Sequence, residues 1–133
     1  MRQISNAIIY KNWKILVVDK TKAEGKTLTI LPWWKVDPGE TYELALQREL
    51  EEELWVKSRV WKILWEIQWD SPTSQITSNV VFFQTELESE DLITTQEVCN
   101  PRYLSSQEIL TLETTTELTK NIIRQLLQYK DIK

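Results

Sequence analysis

Short runs of apolar, β-branched residues dominate the first part of the chain and predict β-strands. Ile4–Tyr10 (ISNAIIY) and Ile15–Val18 (ILVV) are separated only by Lys11–Lys14, and this spacing predicts a β-hairpin. A third run, Thr27–Leu31 (TLTIL), stops at Pro32 and predicts another short strand. The segment that follows, residues 33–40, has no clear period and is predicted to be irregular.

The apolar spacing becomes helical after residue 40. Thr41 has the side chain of a helix N-cap, and the helix is predicted to continue to about Leu54. Four apolar residues form its core stripe: Ala45, Leu46, Leu50 and Leu54. Glu49, Glu52 and Glu53 fall within about 100° of one another on the face beside that stripe. Three carboxylates are therefore predicted to share one side of the helix.

The second half of the chain predicts further strands and then two helices. Val56–Trp69 alternates well enough for one or two strands, and Gln75–Leu87 predicts one long strand with a buried centre. Arg102–Leu104 predicts a short strand, followed by a short helix through Leu112 and an amphipathic helix over Glu117–Tyr129. The order β-β-β-α-β-β-β-α-α predicts an α/β (α+β) fold, with a mixed sheet and helices on both faces.

Composition excludes several classes of chemistry. The 133 residues predict a single domain over 1–133, and the net charge of −4 disfavours a nucleic-acid polymer as partner. The sequence contains no histidine and one cysteine, Cys99, which excludes Ser-His and Cys-His nucleophiles and histidine-containing metal sites. No apolar run has the length of a membrane span, and the N-terminus lacks the apolar region of a signal peptide. We therefore expect a cytoplasmic protein without a membrane partner.

The acidic helix face has two explanations. A run of charges is usually a solvated surface, and that explanation predicts no function. However, like charges three and four residues apart repel one another, so gathering them on one face is unfavourable unless a cation neutralises them. The pattern alone leaves both explanations open.

The segment 34–56, WKVDPGETYELALQRELEEELWV, decides between them because it resembles the Nudix box. That pattern is G-x5-E-x7-R-E-U-x-E-E-x-G-U, where U is an aliphatic residue. Seven of its nine defined positions are matched here, by Glu40, Arg48, Glu49, Leu50, Glu52, Glu53 and Val56. Trp34 and Trp55 occupy the two glycine positions. The resemblance implies a Nudix-like α/β/α sandwich with a mixed sheet between helices.

The resemblance also implies an activity. Nudix enzymes cleave the pyrophosphate linkage of nucleoside diphosphate derivatives with Mg²⁺ or Mn²⁺, and a chain this short is similar to the branch that acts on nucleoside triphosphates. Oxygen ligands suit such hard cations. The expected partner is a small-molecule nucleotide, and the expected assembly is a monomer or a homodimer.

The match to the box implies a role for several charged residues of the acidic helix and the loop before it. Glu52 and Glu53 resemble the principal metal ligands, and Glu49 a third ligand or the base that activates water. Arg48 is similar to the arginine that braces these carboxylates. Glu40 resembles the outer carboxylate that holds the loop to the helix.

Three further positions complete the implied site. The backbone carbonyl of Trp34 stands where the family often adds a metal ligand. Lys35 is placed to meet phosphate, and an ordinary surface lysine is the alternative explanation. Glu97 precedes a short strand, as does the acid that some members contribute from a late loop. The same loop offers three alternatives to it: Glu88, Glu90 and Asp91.

The tryptophans at glycine positions suggest a translation artefact. The chain has two glycines, Gly25 and Gly39, and seven tryptophans, whereas average usage of about 7% predicts roughly nine glycines. Tryptophan stands at four positions that favour glycine: Trp13, Trp33, Trp34 and Trp55. Our hypothesis is that UGA codons meaning glycine were translated as tryptophan. A diverged family member with genuine aromatic substitutions is the alternative.

Two other functions stay open from the sequence. A catalytically impaired Nudix-fold module could bind nucleotides without turnover, which the tryptophans favour and the intact glutamates oppose. An acidic α/β domain unrelated to nucleotides would require the match to the box to be coincidental.

Overall fold

A computed structural model describes residues 2–22, 24–71, 75–94 and 98–128. In chain order its elements are β1 (Arg2–Lys11), β2 (Lys14–Thr21), β3 (Thr27–Ile30), β4 (Trp33–Lys35), α1 (Tyr42–Leu54), β5 (Ser58–Asp70), β6 (Thr77–Leu87), β7 (Cys99–Leu104), α2 (Ser106–Thr111) and α3 (Glu117–Gln128). The chain divides into two compact units, one of residues 1–9 and 32–93 and the other of residues 10–31 and 94–133. The single domain predicted over 1–133 stays a prediction.

A mixed sheet forms the first unit. Its strand order is β4-β1-β6-β5, in which β1 runs parallel to β6 and the other neighbours are antiparallel. The apolar residues Val80–Phe83 of β6 are all buried, as their continuous hydrophobic pattern predicts. β5 is one long strand with two register shifts rather than two strands. Mixed strand directions together with helices are the α+β fold that the sequence predicts.

The helix α1 of this unit begins and ends where the sequence predicts. The Thr41 hydroxyl accepts a hydrogen bond from the Leu44 N–H at 3.1 Å, which satisfies one of the free N–H groups of the first turn. The helix ends at Leu54, and Trp55 then adopts the left-handed conformation. The predicted core stripe is buried: Ala45, Leu46, Leu50 and Leu54.

Strand β4 is the element that the sequence did not predict, because residues 33–40 were expected to be irregular. Trp33–Lys35 pairs antiparallel with Ile4–Asn6 of β1. A three-residue strand has too few positions to show a period of two, so only its pairing with β1 defines it. This short strand positions the loop that leads into α1.

In the second unit, β2 lies between β3 and β7 and pairs antiparallel with both. The end of β1 forms the predicted hairpin with β2, since Lys11 is paired with Lys14. Helix α2 begins with a capping box in which Ser105 and Glu108 each bond the other's backbone N–H. Helix α3 buries Ile122, Ile123 and Leu126 among other residues, whereas Tyr129, at the predicted helix end, lies outside the described residues.

No helix in the described ranges is long and apolar enough to span a membrane.

Candidate active site

A tight loop joins β4 to the acidic helix. The Glu40 N–H donates to the Asp37 carbonyl at 3.1 Å, and the Asp37 N–H donates to the Glu40 carboxylate at 3.2 Å. Gly39 has φ 86°, a conformation that favours glycine because it has no Cβ. The chain can therefore reverse over these residues and aim the Glu40 carboxylate back at the helix.

Arg48 is the centre of the site. Its guanidinium binds Glu40 through two hydrogen bonds, from Nε at 2.7 Å and from Nη2 at 2.9 Å. The same Nη2 reaches Asp37 at 3.1 Å, and Nη1 donates to Glu49 at 2.9 Å and to Glu52 at 3.1 Å. Since a guanidinium presents its donors in a rigid planar fork, one side chain fixes the loop and two helix carboxylates together.

The pKa values of Glu40 and Glu49 are shifted in opposite directions. The hydrogen bond from Arg48 holds the pKa of the Glu40 carboxyl below its ordinary value. Burial raises the pKa of Glu49, the charges of Glu52 and Glu53 raise it further, and the hydrogen bond from Arg48 opposes the rise. The hydrogen bond to Glu40 is also the largest cause that raises the pKa of Arg48, so the guanidinium stays charged. Of these two carboxyls, Glu49 is the one whose burial favours the protonated form.

Trp34 lies next to this loop in β4, opposite Ser5 of β1. Its side chain is buried, at 5% exposure, and its Nε1 finds no hydrogen-bond partner among the described residues. A buried N–H without a partner costs free energy. This large buried indole stands at a position where the box pattern has glycine.

Lys35, the next residue, is exposed and lines a cavity of about 480 Å³. The cavity wall contains two cationic and three apolar side chains in addition to Gln3: Arg2, Lys35, Val36, Pro38 and Ile76. In the part of the chain that the structure describes, no carboxylate lies within ion-pair distance of Lys35. Its charge is available to an anion.

A family model described as NUDIX domain matches residues 1–126. The chain belongs to the Nudix family. No match was found among curated proteins.

Solved structures agree with the Nudix fold. A NUDIX hydrolase from Nitrosomonas europaea has a TM-score of 0.84 and 20% identity, and the match covers 97% of this chain and 90% of that one. A MutT protein from Methanosarcina mazei Go1 has a TM-score of 0.83, 17% identity, and coverage of 97% and 94%. The ORF135 protein of E. coli has a TM-score of 0.80, 20% identity, and coverage of 98% and 91%. At these identities the likeness establishes the fold.

The structure brings together most of the acidic residues expected of the Nudix site. Glu40, Glu49 and Glu52 all contact Arg48, and Glu53 follows on the same helix, partly buried. Their roles as ligands or base stay predictions. The contact of Asp37 with Arg48 was not predicted, because an aspartate before Pro-Gly has the usual composition of a turn.

The late loop is described only in part. Glu97 lies outside the described residues, so its predicted place at the metal stays a prediction. Its alternatives Glu88, Glu90 and Asp91 are exposed. The same loop is anchored to α1 by a hydrogen bond that the sequence did not predict, in which the Ile93 N–H donates to the Leu54 carbonyl at 3.1 Å. This bond satisfies one carbonyl at the helix end and holds Ile93 beside the last turn of α1.

The donor chemistry suits a hard divalent cation, because Glu49, Glu52 and Glu53 supply carboxylate oxygens from one helix. Within residues 2–22, 24–71, 75–94 and 98–128, no three acidic side chains already converge as a preformed metal cluster. Glu49 and Glu52 point instead to Arg48. A cation at this helix would therefore compete with the guanidinium for these carboxylates.

Proposed function

We propose that this Nudix protein is a Mg²⁺- or Mn²⁺-dependent hydrolase that cleaves the pyrophosphate linkage of a nucleoside diphosphate derivative, with a nucleoside triphosphate as the first candidate substrate. The observation that supports this most directly is the arrangement around Arg48. One guanidinium holds the loop carboxylate Glu40 and the helix carboxylates Glu49 and Glu52 in one cluster. A cluster of carboxylates beside a Nudix loop suits a divalent cation that also binds the phosphate oxygens of a substrate.

The residues divide the work as follows. Glu52 and Glu53 would hold the cation, with the backbone carbonyl of Trp34 and the Glu97 carboxylate as further ligands. When bound there, a divalent cation would neutralise charge at the phosphate oxygens and lower the pKa of water. Glu49 is a third ligand or the base.

As the base, Glu49 accepts the proton of the attacking water, and its raised pKa suits that transfer. The water oxygen bonds to phosphorus, the bridging P–O bond breaks, and the leaving phosphate keeps the electron pair. Arg48 and Glu40 position the loop and helix during this step without touching the reacting atoms.

The direct test is a substrate panel of nucleoside triphosphates, sugar nucleotides and dinucleoside polyphosphates, assayed for phosphate or pyrophosphate release. We expect turnover of at least one class with Mg²⁺ or Mn²⁺ and none after chelation with EDTA. The panel is applied both to this chain and to a version with glycine at positions 13, 33, 34 and 55. Failure of both versions on every class would contradict the proposal.

A second candidate function is nucleotide binding without turnover. The observation in its favour is Trp34, whose buried indole stands at a glycine position of the box, in the strand that precedes the loop before α1. Equilibrium binding of the same nucleotides distinguishes the two candidates. Tight binding by both versions, with no turnover by either, would identify a binding module.

The cavity beside the loop has the side chains to bind the phosphate of the substrate. Lys35 and Arg2 supply positive charge, and Asp37, which stands between the cavity residues Val36 and Pro38, contacts Arg48. The cavity and the carboxylate cluster thus share one loop. A phosphate held here would lie near the acidic helix.

Removing the cavity charges is expected to weaken substrate binding. For Lys35→Ala and for Arg2→Ala we expect a rise in KM of about fivefold each, since a hydrogen bond from a solvent-accessible cation to phosphate contributes about 1 kcal/mol. Steady-state kinetics on the best substrate of the panel measures this effect. Lys62→Ala, which removes an exposed lysine from β5, is the matched control. An unchanged KM in the Lys35 variant would identify Lys35 as an ordinary surface lysine.

A further inference from the structure

Two tryptophans lie on left-handed backbone. Positive φ occurs at five described residues other than glycine: Asn12, Trp13, Trp55, Gln75 and Asn100. Asparagine tolerates this conformation, whereas for a bulky residue it is an outlier that strains the contact between Cβ and the backbone. The two tryptophans therefore need an explanation that the two asparagines do not.

Trp13 occupies the turn of the β1–β2 hairpin. Asn12 has φ 50° and Trp13 has φ 66°, and the flanking residues Lys11 and Lys14 are paired. Two positive φ values at the central positions of a two-residue hairpin describe a type I′ turn, for which Asn-Gly is strongly preferred. The Trp13 side chain is 67% exposed, so burial of its indole does not compensate for the strain.

Trp55 occupies the position that ends α1. It has φ 56° and ψ 39°, directly after the last helical residue, Leu54. Helices commonly end on a left-handed residue, and that residue is usually glycine. Trp55 is also 67% exposed. Two turns that are far apart in the chain thus have the backbone conformation that favours glycine, and each carries an exposed tryptophan.

We propose that the native protein has glycine at positions 13 and 55, because its gene is read with a code in which UGA specifies glycine rather than tryptophan. The same assignment extends to positions 33 and 34. This proposal does not depend on whether the protein hydrolyses nucleotides.

Trp65, in β5, is a tryptophan without the left-handed backbone of Trp13 and Trp55. Its ring stacks on Phe82, with centroids 4.6 Å apart and an angle of 19° between the planes. Its backbone has no positive φ. Trp65 is therefore the matched control for positions 13 and 55.

The decisive experiment is to sequence the gene and to measure peptide masses of the protein purified from its source cells. We expect UGA at codons 13, 33, 34 and 55 and glycine masses at those positions. UGG at codon 13 or 55, or a tryptophan mass at either position, would overturn the proposal.

A stability comparison tests the backbone argument separately. For both Trp13 and Trp55, we expect the glycine variant to melt about 3–5 °C above the alanine variant, because alanine removes the indole but keeps the strained Cβ. At Trp65 the order reverses, since glycine weakens a strand relative to alanine. An alanine variant as stable as the glycine variant at position 13 or 55 would show that the backbone there does not require glycine, and would contradict the proposal.

Discussion

Replacing Glu53 with glutamine is expected to lower kcat by about 100- to 1,000-fold while leaving the melting temperature nearly unchanged. Glutamine has the size of glutamate and retains an oxygen, but it carries no negative charge for a cation. The loss of one anionic ligand removes several kcal/mol of stabilisation from the charge that develops at phosphate. Glu53 is only partly buried and does not belong to the helix core stripe, so its replacement should be tolerated by the fold.

The control for this prediction is Glu51→Gln on the same helix. Glu51 is exposed and points away from the carboxylate cluster, so its neutralisation removes the same charge without touching the site. Steady-state kinetics with saturating Mg²⁺ and thermal denaturation are measured for both variants. A large fall in melting temperature for Glu53→Gln would show a structural role, and equal kcat values in the two variants would exclude Glu53 as a ligand.

Local signals explain why α1 could be predicted closely. Thr41 caps the helix that begins at the next residue, and the buried stripe that ends at Leu54 follows the 3.6-residue period. The hairpin turn at Asn12 and Trp13 likewise depends on residues that are neighbours in the sequence. Each of these features depends on residues that lie close together in the chain, so the sequence shows it directly.

The features that escaped prediction depend on residues far apart in the chain. Strand β4 exists because it pairs with β1, and the anchor of the late loop exists because Ile93 reaches Leu54. The three residues of β4 are too few to show the period of a strand. A backbone hydrogen bond such as that of Ile93 cannot be inferred from the side chains of the two residues. The resemblance to the Nudix box identified the carboxylates of the candidate site. The contact of Asp37 with Arg48, however, could be seen only in the folded loop.

The helix arginine is expected to matter for both activity and stability. For Arg48→Ala we expect kcat to fall at least tenfold and the free energy of unfolding to fall by about 1–3 kcal/mol, because Asp37, Glu40, Glu49 and Glu52 would then repel one another without a shared cation. We expect a fall near the lower end of this range, since the Arg48 side chain is 31% exposed and solvent screens part of the interaction.

A lysine variant separates charge from geometry at this position. Arg48→Lys keeps the positive charge, but one ammonium group cannot reproduce a fork that binds Glu40 twice while reaching Glu49 and Glu52. We therefore expect Arg48→Lys to recover part of the lost stability and little of the lost kcat. Arg124→Ala, on α3, is the control for removal of an exposed arginine elsewhere. Full activity of Arg48→Ala would show that the carboxylates position themselves without Arg48, and full recovery of kcat by lysine would show that only its charge is required.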